Sequence, residues 1–184
     1  MKKIVVAGSS GLPFSLPDVP VITAREYLTS SEWFAAGSVH VVNLSHEYRY
    51  GSRGYYVSLL AEARGHRVLP SVKTIQDLKT STLTQVISDE LSTLIDRSLR
   101  RLKADEFVLS VYFGKNVAKQ YDRLARDLFR LFQAPLLRAR FTRGRGWELR
   151  SVRALSMSDV AAEHLEFLGQ AAREYFSRRA YRRG

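Results

Sequence analysis

The 184-residue chain contains no cysteine, no long apolar run and only four histidines. The missing cysteines exclude disulfides, thiol catalysis and cysteine-based zinc sites, and the histidines show no metal-ligand spacing. No stretch approaches the roughly 18 apolar residues that a membrane-spanning helix needs. The opening "MKKIVVAGSSGLPF" carries an apolar run that is too short for the core of a signal peptide. We therefore expect a globular protein of the cytoplasm, with no membrane partner.

Signatures of catalysis are missing as well. The sequence has neither the dinucleotide pattern G-x-G-x-x-G nor a P-loop, and it has no G-x-S-x-G motif for a nucleophilic serine. No two carboxylates stand in a recognisable catalytic frame. We therefore expect no metal site, no bound cofactor and no enzymatic activity from this chain alone.

Basic residues outnumber acidic ones, and the excess is uneven along the chain. The net charge is +11, and residues 138–184 carry eleven arginines, no lysine and five acids. The first candidate interface is an arginine face on a predicted hairpin: Arg138, Arg140, Arg143, Arg145 and Arg150. Such a face can bind the phosphates of a nucleic acid. However, Phe141 and Trp147 fall on the opposite side of the hairpin, so the aromatic platform of single-strand readers is missing. A solvated face or a contact with another domain is the favoured interpretation.

The order of predicted elements indicates the α/β class. Apolar runs at 2–8, 19–23 and 39–45 read as strands, and Thr23 is placed to cap a short helix after the second. A helix from about 55 to 64 follows, ending at Gly65, before a further strand at 66–72. Because this is a strand–helix–strand unit, the first half is expected to hold a Rossmann-like, partly parallel sheet.

The second half reads as mixed α+β. Periodic leucines and isoleucines predict a helix over 83–102, followed by a strand at 107–113, a helix at 116–133 and a hairpin of 136–142 with 147–153. Ser156 and Asp159 form a predicted capping box that opens the last helix. We predict one domain over 1–177, with a Rossmann-like half at 1–80 and a mixed half at 81–177. Residues 178–184 then form a basic tail or linker.

The segment "SHEYRYGSRGY" (45–55) is the leading candidate for a ligand or anion site. It follows a buried strand and opens a helix, where ligands of open α/β sheets lie and where the helix dipole favours an anion. The residues that can supply hydrogen bonds, charge or stacking are Ser45, Tyr48, Arg49, Tyr50, Ser52, Arg53, Gly54 and Tyr55. The structural alternative is that Ser52 caps the helix, Gly54 relieves crowding and the tyrosines pack at a domain edge. Two other glycine loops, "AGSSG" (7–11) and "FGKN" (113–116), are interpreted as turns.

The run "NLSHEYRYGSRGYYVSLLAEARGHRVLPSVKTIQDL" (43–78) resembles the most characteristic segment of the RimK-like ATP-grasp N-terminal domain family. "VITAREYL", "VYFG", "LFRLFQAPLLRARF" and "WELRSVRALS" fit the same family in order, so the resemblance covers nearly the whole chain. The chain departs from the family pattern at Ser45, His46 and Glu47, where a small or basic residue is typical.

The resemblance implies a place in bacterial proteins that form amide bonds with ATP. Such domains precede an ATP-grasp module, which holds the ATP and magnesium, so this chain is expected to be an excised or stand-alone N-terminal domain. Its implied role is non-catalytic: to help recognise an amino-acid or peptide substrate and to dock the catalytic domain, in cis or in trans. Two alternatives stay open, a nucleic-acid- or ribosome-binding module that uses the arginine face, and a structural or oligomerisation domain.

Overall fold

The computed structural model describes residues 1–177, so the predicted tail at 178–184 lies outside the described residues. In chain order the strands and helices are β1 (Lys2–Ala7), β2 (Val21–Thr23), α1 (Ala24–Thr29), α2 (Ser31–Phe34), β3 (Val39–Asn43), α3 (Arg53–Ala63), β4 (Arg67–Leu69), α4 (Val72–Asp77), α5 (Ser81–Glu90), α6 (Ser92–Leu99), β5 (Glu106–Tyr112), α7 (Asp122–Phe132), β6 (Leu136–Arg143), β7 (Trp147–Ala154) and α8 (Leu165–Ser177). The chain forms two compact units. Residues 1–72 and 155–177 make the parallel-sheet unit, and Lys73–Ala154 make the antiparallel-sheet unit.

The parallel-sheet unit has four strands in the order β2-β1-β3-β4, all parallel. β1 and β3 are central, and their valines and isoleucine are buried on both faces, as parallel strands require. Ile4, Val6, Val39 and Val41 point to the face that α1 and α3 cover. The predicted α/β class, with a parallel first sheet and a mixed second half, is confirmed.

The opposite face of this sheet carries α8. Lys3 Nζ donates a hydrogen bond to the Phe176 carbonyl at 2.8 Å, and His40 Nε2 lies 3.1 Å from the Tyr175 hydroxyl. The predicted halves met at residue 80, whereas α8 packs with the strands of the first half. The capping box of Ser156 and Asp159 is present, but it opens a short 3-10 turn, Met157–Asp159. The expectation that it opens the last helix is wrong, because α8 begins only at Leu165.

Local signals set several helix ends correctly. Thr23 Oγ1 accepts a hydrogen bond from the Glu26 N–H at 3.1 Å, which is the predicted cap of α1. Gly65 has φ +73°, the left-handed conformation expected of a glycine just past a helix. The predicted strand at 66–72 is shorter, because Val72 already begins α4.

The antiparallel-sheet unit has the strand order β5-β6-β7. The inward residues of its hairpin alternate as predicted, and α5, α6 and α7 pack against them in one apolar core. The expected single helix over 83–102 is wrong: it breaks at Leu91, whose φ of −94° and ψ of 8° leave the helical region. The two shorter helices each satisfy a backbone N–H of β7. Ser88 Oγ accepts from Leu149 N at 3.0 Å, and Asp96 Oδ1 accepts from Trp147 N at 3.1 Å.

Candidate functional site

A cavity of about 570 Å³ lies at the carboxyl ends of β1, β2 and β3, inside the parallel-sheet unit. Its lining residues come from the loops after β1 and β3 and from the first turns of α1 and α3: Ala7, Gly8, Ser9, Thr23, Ala24, Arg25, Ser45, His46, Glu47, Arg53 and Gly54. β1 has β2 on one side and β3 on the other, so the chain reverses its direction of winding there. Open α/β sheets bind ligands at such a point.

Asn43, at the end of β3, holds the floor of this site together. Its Nδ2 donates to the Gly54 carbonyl at 2.8 Å and to Ser58 Oγ at 3.0 Å, and its Oδ1 accepts from Ser45 Oγ. Ser58 Oγ in turn donates to the Pro70 carbonyl at 2.6 Å. Asn43 and Ser58 are fully buried, so this network ties β3, α3 and the segment after β4 into one rigid base.

Tyr48 fastens the loop after β3 to that base. Its hydroxyl donates to the Asn43 carbonyl at 2.6 Å, and burial raises the pKa of Tyr48 well above its usual value. The phenol therefore stays neutral and serves as a donor to backbone. Tyr48 does not line the cavity.

Two glycines bring the loops into contact. A Cβ on Gly54 would lie 2.0 Å from the Glu47 carbonyl oxygen, and one on Gly8 would lie 2.2 Å from His46 Nε2. Gly54 therefore needs glycine for close approach to backbone rather than for an unusual φ, whereas at Gly8 the exposed His46 side chain can move aside. Gly54 thus has the structural role that the sequence offered as an alternative, because it avoids a clash with the neighbouring loop. Ser52 also has a structural role. Its Oγ accepts a hydrogen bond from the Tyr55 N–H at 3.2 Å and so caps α3.

The rim of the cavity is cationic. Arg25 and Arg53 are exposed, and within residues 1–177 their guanidinium groups form no ion pair and no hydrogen bond. α3 has no acidic residue in its first turn, so the partial positive charge of its N-terminus is not offset there. Glu47 is the one acid among the lining residues, and it lies 3.6 Å from the exposed Arg49. This arrangement suits a carboxylate or phosphate group.

The structure divides the predicted loop residues into two sets. Ser45, Arg53 and Gly54 line the cavity; Tyr48, Arg49, Tyr50, Ser52 and Tyr55 do not. Tyr50 is 77% exposed, and its ring centroid lies 5.1 Å from that of the nearly buried Tyr55. The sequence interpretation did not include the other lining residues, which are Ala7, Gly8, Ser9, Thr23, Ala24, Arg25, His46 and Glu47. Position could have indicated some of them, because the "AGSSG" loop, like the loop after β3, follows the carboxyl end of a parallel strand.

The arginine face of the hairpin is largely paired with carboxylates. Arg140 lies 2.5 Å from Glu106, Arg143 lies 3.2 Å from Asp105, and Arg150 lies 3.1 Å from Glu148. Arg138 lies on the same outer face, and Arg145 is exposed in the hairpin loop. Three of the five predicted residues therefore already have an anionic neighbour within the chain.

Two findings concern other kinds of site. Among residues 1–177, no three His, Asp or Glu side chains are grouped so that they could hold a metal ion. No helix in that part of the chain is both long enough and apolar enough to cross a bilayer.

A four-stranded parallel sheet with a cavity at its carboxyl edge, followed in the chain by a helix-covered antiparallel unit, defines the class as a mixed α/β domain. The chain belongs to the family described as the RimK-like ATP-grasp N-terminal domain, whose pattern matches residues 24–171. This confirms the resemblance seen in the sequence. No curated protein matches the chain.

Solved structures of an ATP-grasp ligase are similar in fold. The ligase PsnB, complexed with a phosphomimetic variant of its minimal precursor, Mg and ADP, aligns with a TM-score of 0.53 at 10% identity, covering 96% of this chain and 99% of that chain. PsnB complexed with its minimal precursor aligns with a TM-score of 0.49 at 10% identity, covering 94% and 99%. At this identity, the first comparison shows a shared fold alone.

Proposed function

We propose that this chain is a non-catalytic accessory domain of a RimK-like, amide-bond-forming ATP-grasp ligase, and that its cavity binds an anionic group of the substrate. The observation that carries the proposal is the position of Arg25 and Arg53, two cations without partners among residues 1–177, at the rim of a cavity at the switch point of the sheet.

The chemistry follows from what the cavity offers. An arginine guanidinium presents a planar fork of N–H donors that matches the two oxygens of a carboxylate or phosphate. Two such groups and the N-terminus of α3 favour a negative ligand group, and the Asn43 network holds the first turn of α3, which carries Arg53, in place. Cavities of this size hold small ligands or the end of a longer one.

The rest of the ligase supplies the reaction. An amide bond joins a carboxylate to an amine, and in the proposed assembly an associated ATP-grasp domain, in cis or in trans, binds ATP and Mg²⁺ and activates the carboxylate. This domain docks to it and orients the substrate. An amino acid or a peptide carries the anionic group that the cavity suits, and PsnB, with the same fold, is recorded in complex with a precursor.

Isothermal titration calorimetry on the isolated chain tests the cavity, with phosphate, free amino acids, short peptides and AMP as ligands. Arg53→Gln should weaken binding about tenfold, since a hydrogen bond to a charged group is worth about 1.5–3 kcal/mol. Arg49→Gln is the matched control, because Arg49 lies on the same loop but outside the cavity. Equal affinity of both variants and the wild type, or no binding of any ligand, would contradict the proposal.

A further inference from the structure

The two units of this chain differ sharply in charge. The antiparallel-sheet unit, Lys73–Ala154, has 17 basic and nine acidic residues, a net charge of +8. The described part of the parallel-sheet unit has eight basic and nine acidic residues, a net charge of −1. Apart from the four arginines of the segment 178–184, the basic excess of the chain therefore belongs to one unit. A charge asymmetry of this kind indicates a polyanionic partner for the basic part.

Within that unit, the arginines of α7 form a row on its outer side. Arg123, Arg126 and Arg130 are three and four residues apart, so they lie on one face of the helix, and all three are exposed. The opposite face, with Leu124, Leu128 and Phe132, is buried against the sheet. The row therefore points directly away from the core, over a length of about 10 Å.

α6, which neighbours α7, and the two residues after it carry further arginines. α6 and α7 pack against the same face of the sheet and contact each other. Three exposed arginines lie here: Arg97 in the last turn of α6, and Arg100 and Arg101 directly after it.

Most charges of this surface have no carboxylate neighbour in the described part of the chain. Arg97, Arg100, Arg101, Arg123 and Arg126 form no ion pair and no side-chain hydrogen bond within residues 1–177. Of the six arginines, only Arg130 has a carboxylate neighbour among residues 1–177, Asp127 at 3.8 Å. The hairpin arginines differ, because Arg140, Arg143 and Arg150 each have a carboxylate within 3.2 Å. An external polyanion would compete with one internal carboxylate, Asp127, on the α6–α7 surface, whereas on the hairpin it would compete with three.

We propose that the α6–α7 surface binds the phosphodiester backbone of a nucleic acid. One strand carries a phosphate about every 3.4 Å along a duplex axis, so the α7 row matches about three phosphates. Arginine binds phosphate oxygens in a bidentate manner. The row contains no aromatic side chain on which a base can stack, so binding is set by the backbone and is independent of sequence. This activity is separate from the cavity of the parallel-sheet unit and does not depend on it.

Fluorescence anisotropy on the full chain tests the proposal, with labelled single strands of RNA and of DNA, about 20 nucleotides long, at about 50–200 mM salt. The variant R123Q/R126Q removes two exposed, unpaired charges. The matched control R49Q/R145Q also removes two exposed charges, one in each unit, and lies outside the surface. We expect the first variant to weaken binding at low salt at least tenfold and to reduce the slope of log affinity against log salt by about 1.4, or 0.7 for each lost phosphate contact. The control should change affinity less than about twofold.

Four results would overturn this inference: no salt-dependent binding of the wild type at low salt, an equal loss in both variants, a loss only when Arg178, Arg179, Arg182 and Arg183 are replaced, or equally tight binding of polyglutamate. The last result would show an acidic polypeptide surface instead. Comparison of the RNA and DNA strands then shows which source of phosphodiester the surface accepts. Thermal unfolding of each variant accompanies the titrations, and unchanged melting is expected since the replaced side chains are solvent-exposed.

Discussion

The side-chain amide of Asn43 donates a hydrogen bond to the carbonyl of Gly54 at 2.8 Å, which joins the end of β3 to the first turn of α3. The same amide group reaches Ser58, and its oxygen accepts from Ser45. One buried residue thus holds the loop that forms a wall of the cavity.

Replacing Asn43 should therefore destabilise the parallel-sheet unit. Asn43→Ala leaves the Gly54 carbonyl and the Ser45 and Ser58 hydroxyls without this partner in a buried region, and each such group costs about 1–3 kcal/mol. We expect the free energy of unfolding to fall by roughly 2–4 kcal/mol in urea titrations. Gln170→Ala, which removes an exposed amide on α8, is the control and should change it by less than about 0.5 kcal/mol. Equal stability of the two variants would show that the network contributes nothing.

Gly54 should not tolerate a methyl group. Its Cβ would meet the Glu47 carbonyl oxygen at 2.0 Å, so Gly54→Ala must displace the loop or the helix. We expect a loss of about 1–3 kcal/mol and weaker ligand binding in the cavity. Gly144→Ala is the matched control, because a Cβ there meets nothing within 4 Å. The close approach is refuted if Gly54→Ala melts at the wild-type temperature.

The buried His40 should make stability fall in acid. Burial, together with the charges of Arg67 and Lys3, lowers the pKa of His40 to about 3, so the ring stays neutral in the folded state. The unfolded chain binds a proton on this histidine near pH 6.5, and unfolding therefore takes up a proton at lower pH. Stability is fully present above about pH 6.5 and decreases toward pH 3, by up to about 1.4 kcal/mol per pH unit from this residue.

Urea midpoints between pH 7.5 and pH 4 measure this effect. His40→Gln removes the titrating group and should flatten the pH dependence by about one proton, beyond any uniform change in stability. Burial and Arg64 also lower the pKa of His66, so a slope of the same sign remains in the His40→Gln variant. Parallel curves for the wild type and His40→Gln would disprove the role of His40.

The edge strand β7 depends on an acceptor from α6. Asp96→Ala removes the carboxylate oxygen that accepts a hydrogen bond from the backbone N–H of the buried Trp147. This substitution should lower the free energy of unfolding by about 1–3 kcal/mol. Asp96→Asn keeps an oxygen at this position and is expected to restore most of that loss. If the asparagine variant unfolds as readily as the alanine variant, the carboxylate charge rather than the hydrogen bond is responsible. Chemical denaturation of the three proteins separates these outcomes.

Predictions from the sequence succeeded where neighbouring residues decide the outcome. The cap at Thr23, the left-handed Gly65, the hairpin alternation and the helix opened by Ser52 all depend on residues within about four positions. The prediction of one helix failed at Leu91, because the leucine periodicity continues through the break between α5 and α6. The contact made by α5 there, from Ser88 to the Leu149 N–H of β7, joins residues about 60 positions apart.

The candidate site shows the same division. The sequence alone singled out the loop after β3, from its glycines, arginines and place behind a buried strand. It did not single out Gly8 and Arg25, because they approach that loop only through the strand order β2-β1-β3-β4. It also marked the hairpin arginines, whereas their carboxylate partners Glu106 and Asp105 lie on or next to a different strand.

The sequence by itself determined the family, the α/β class and most element ends, since these depend on local residue patterns and on hydrophobic periodicity. Only the tertiary structure decided that α8 covers the first sheet, that two loops and two helix starts enclose one cavity, and which arginines keep an unpaired charge. Those properties arise from contacts between residues far apart in the chain, and no local preference encodes the geometry of such contacts.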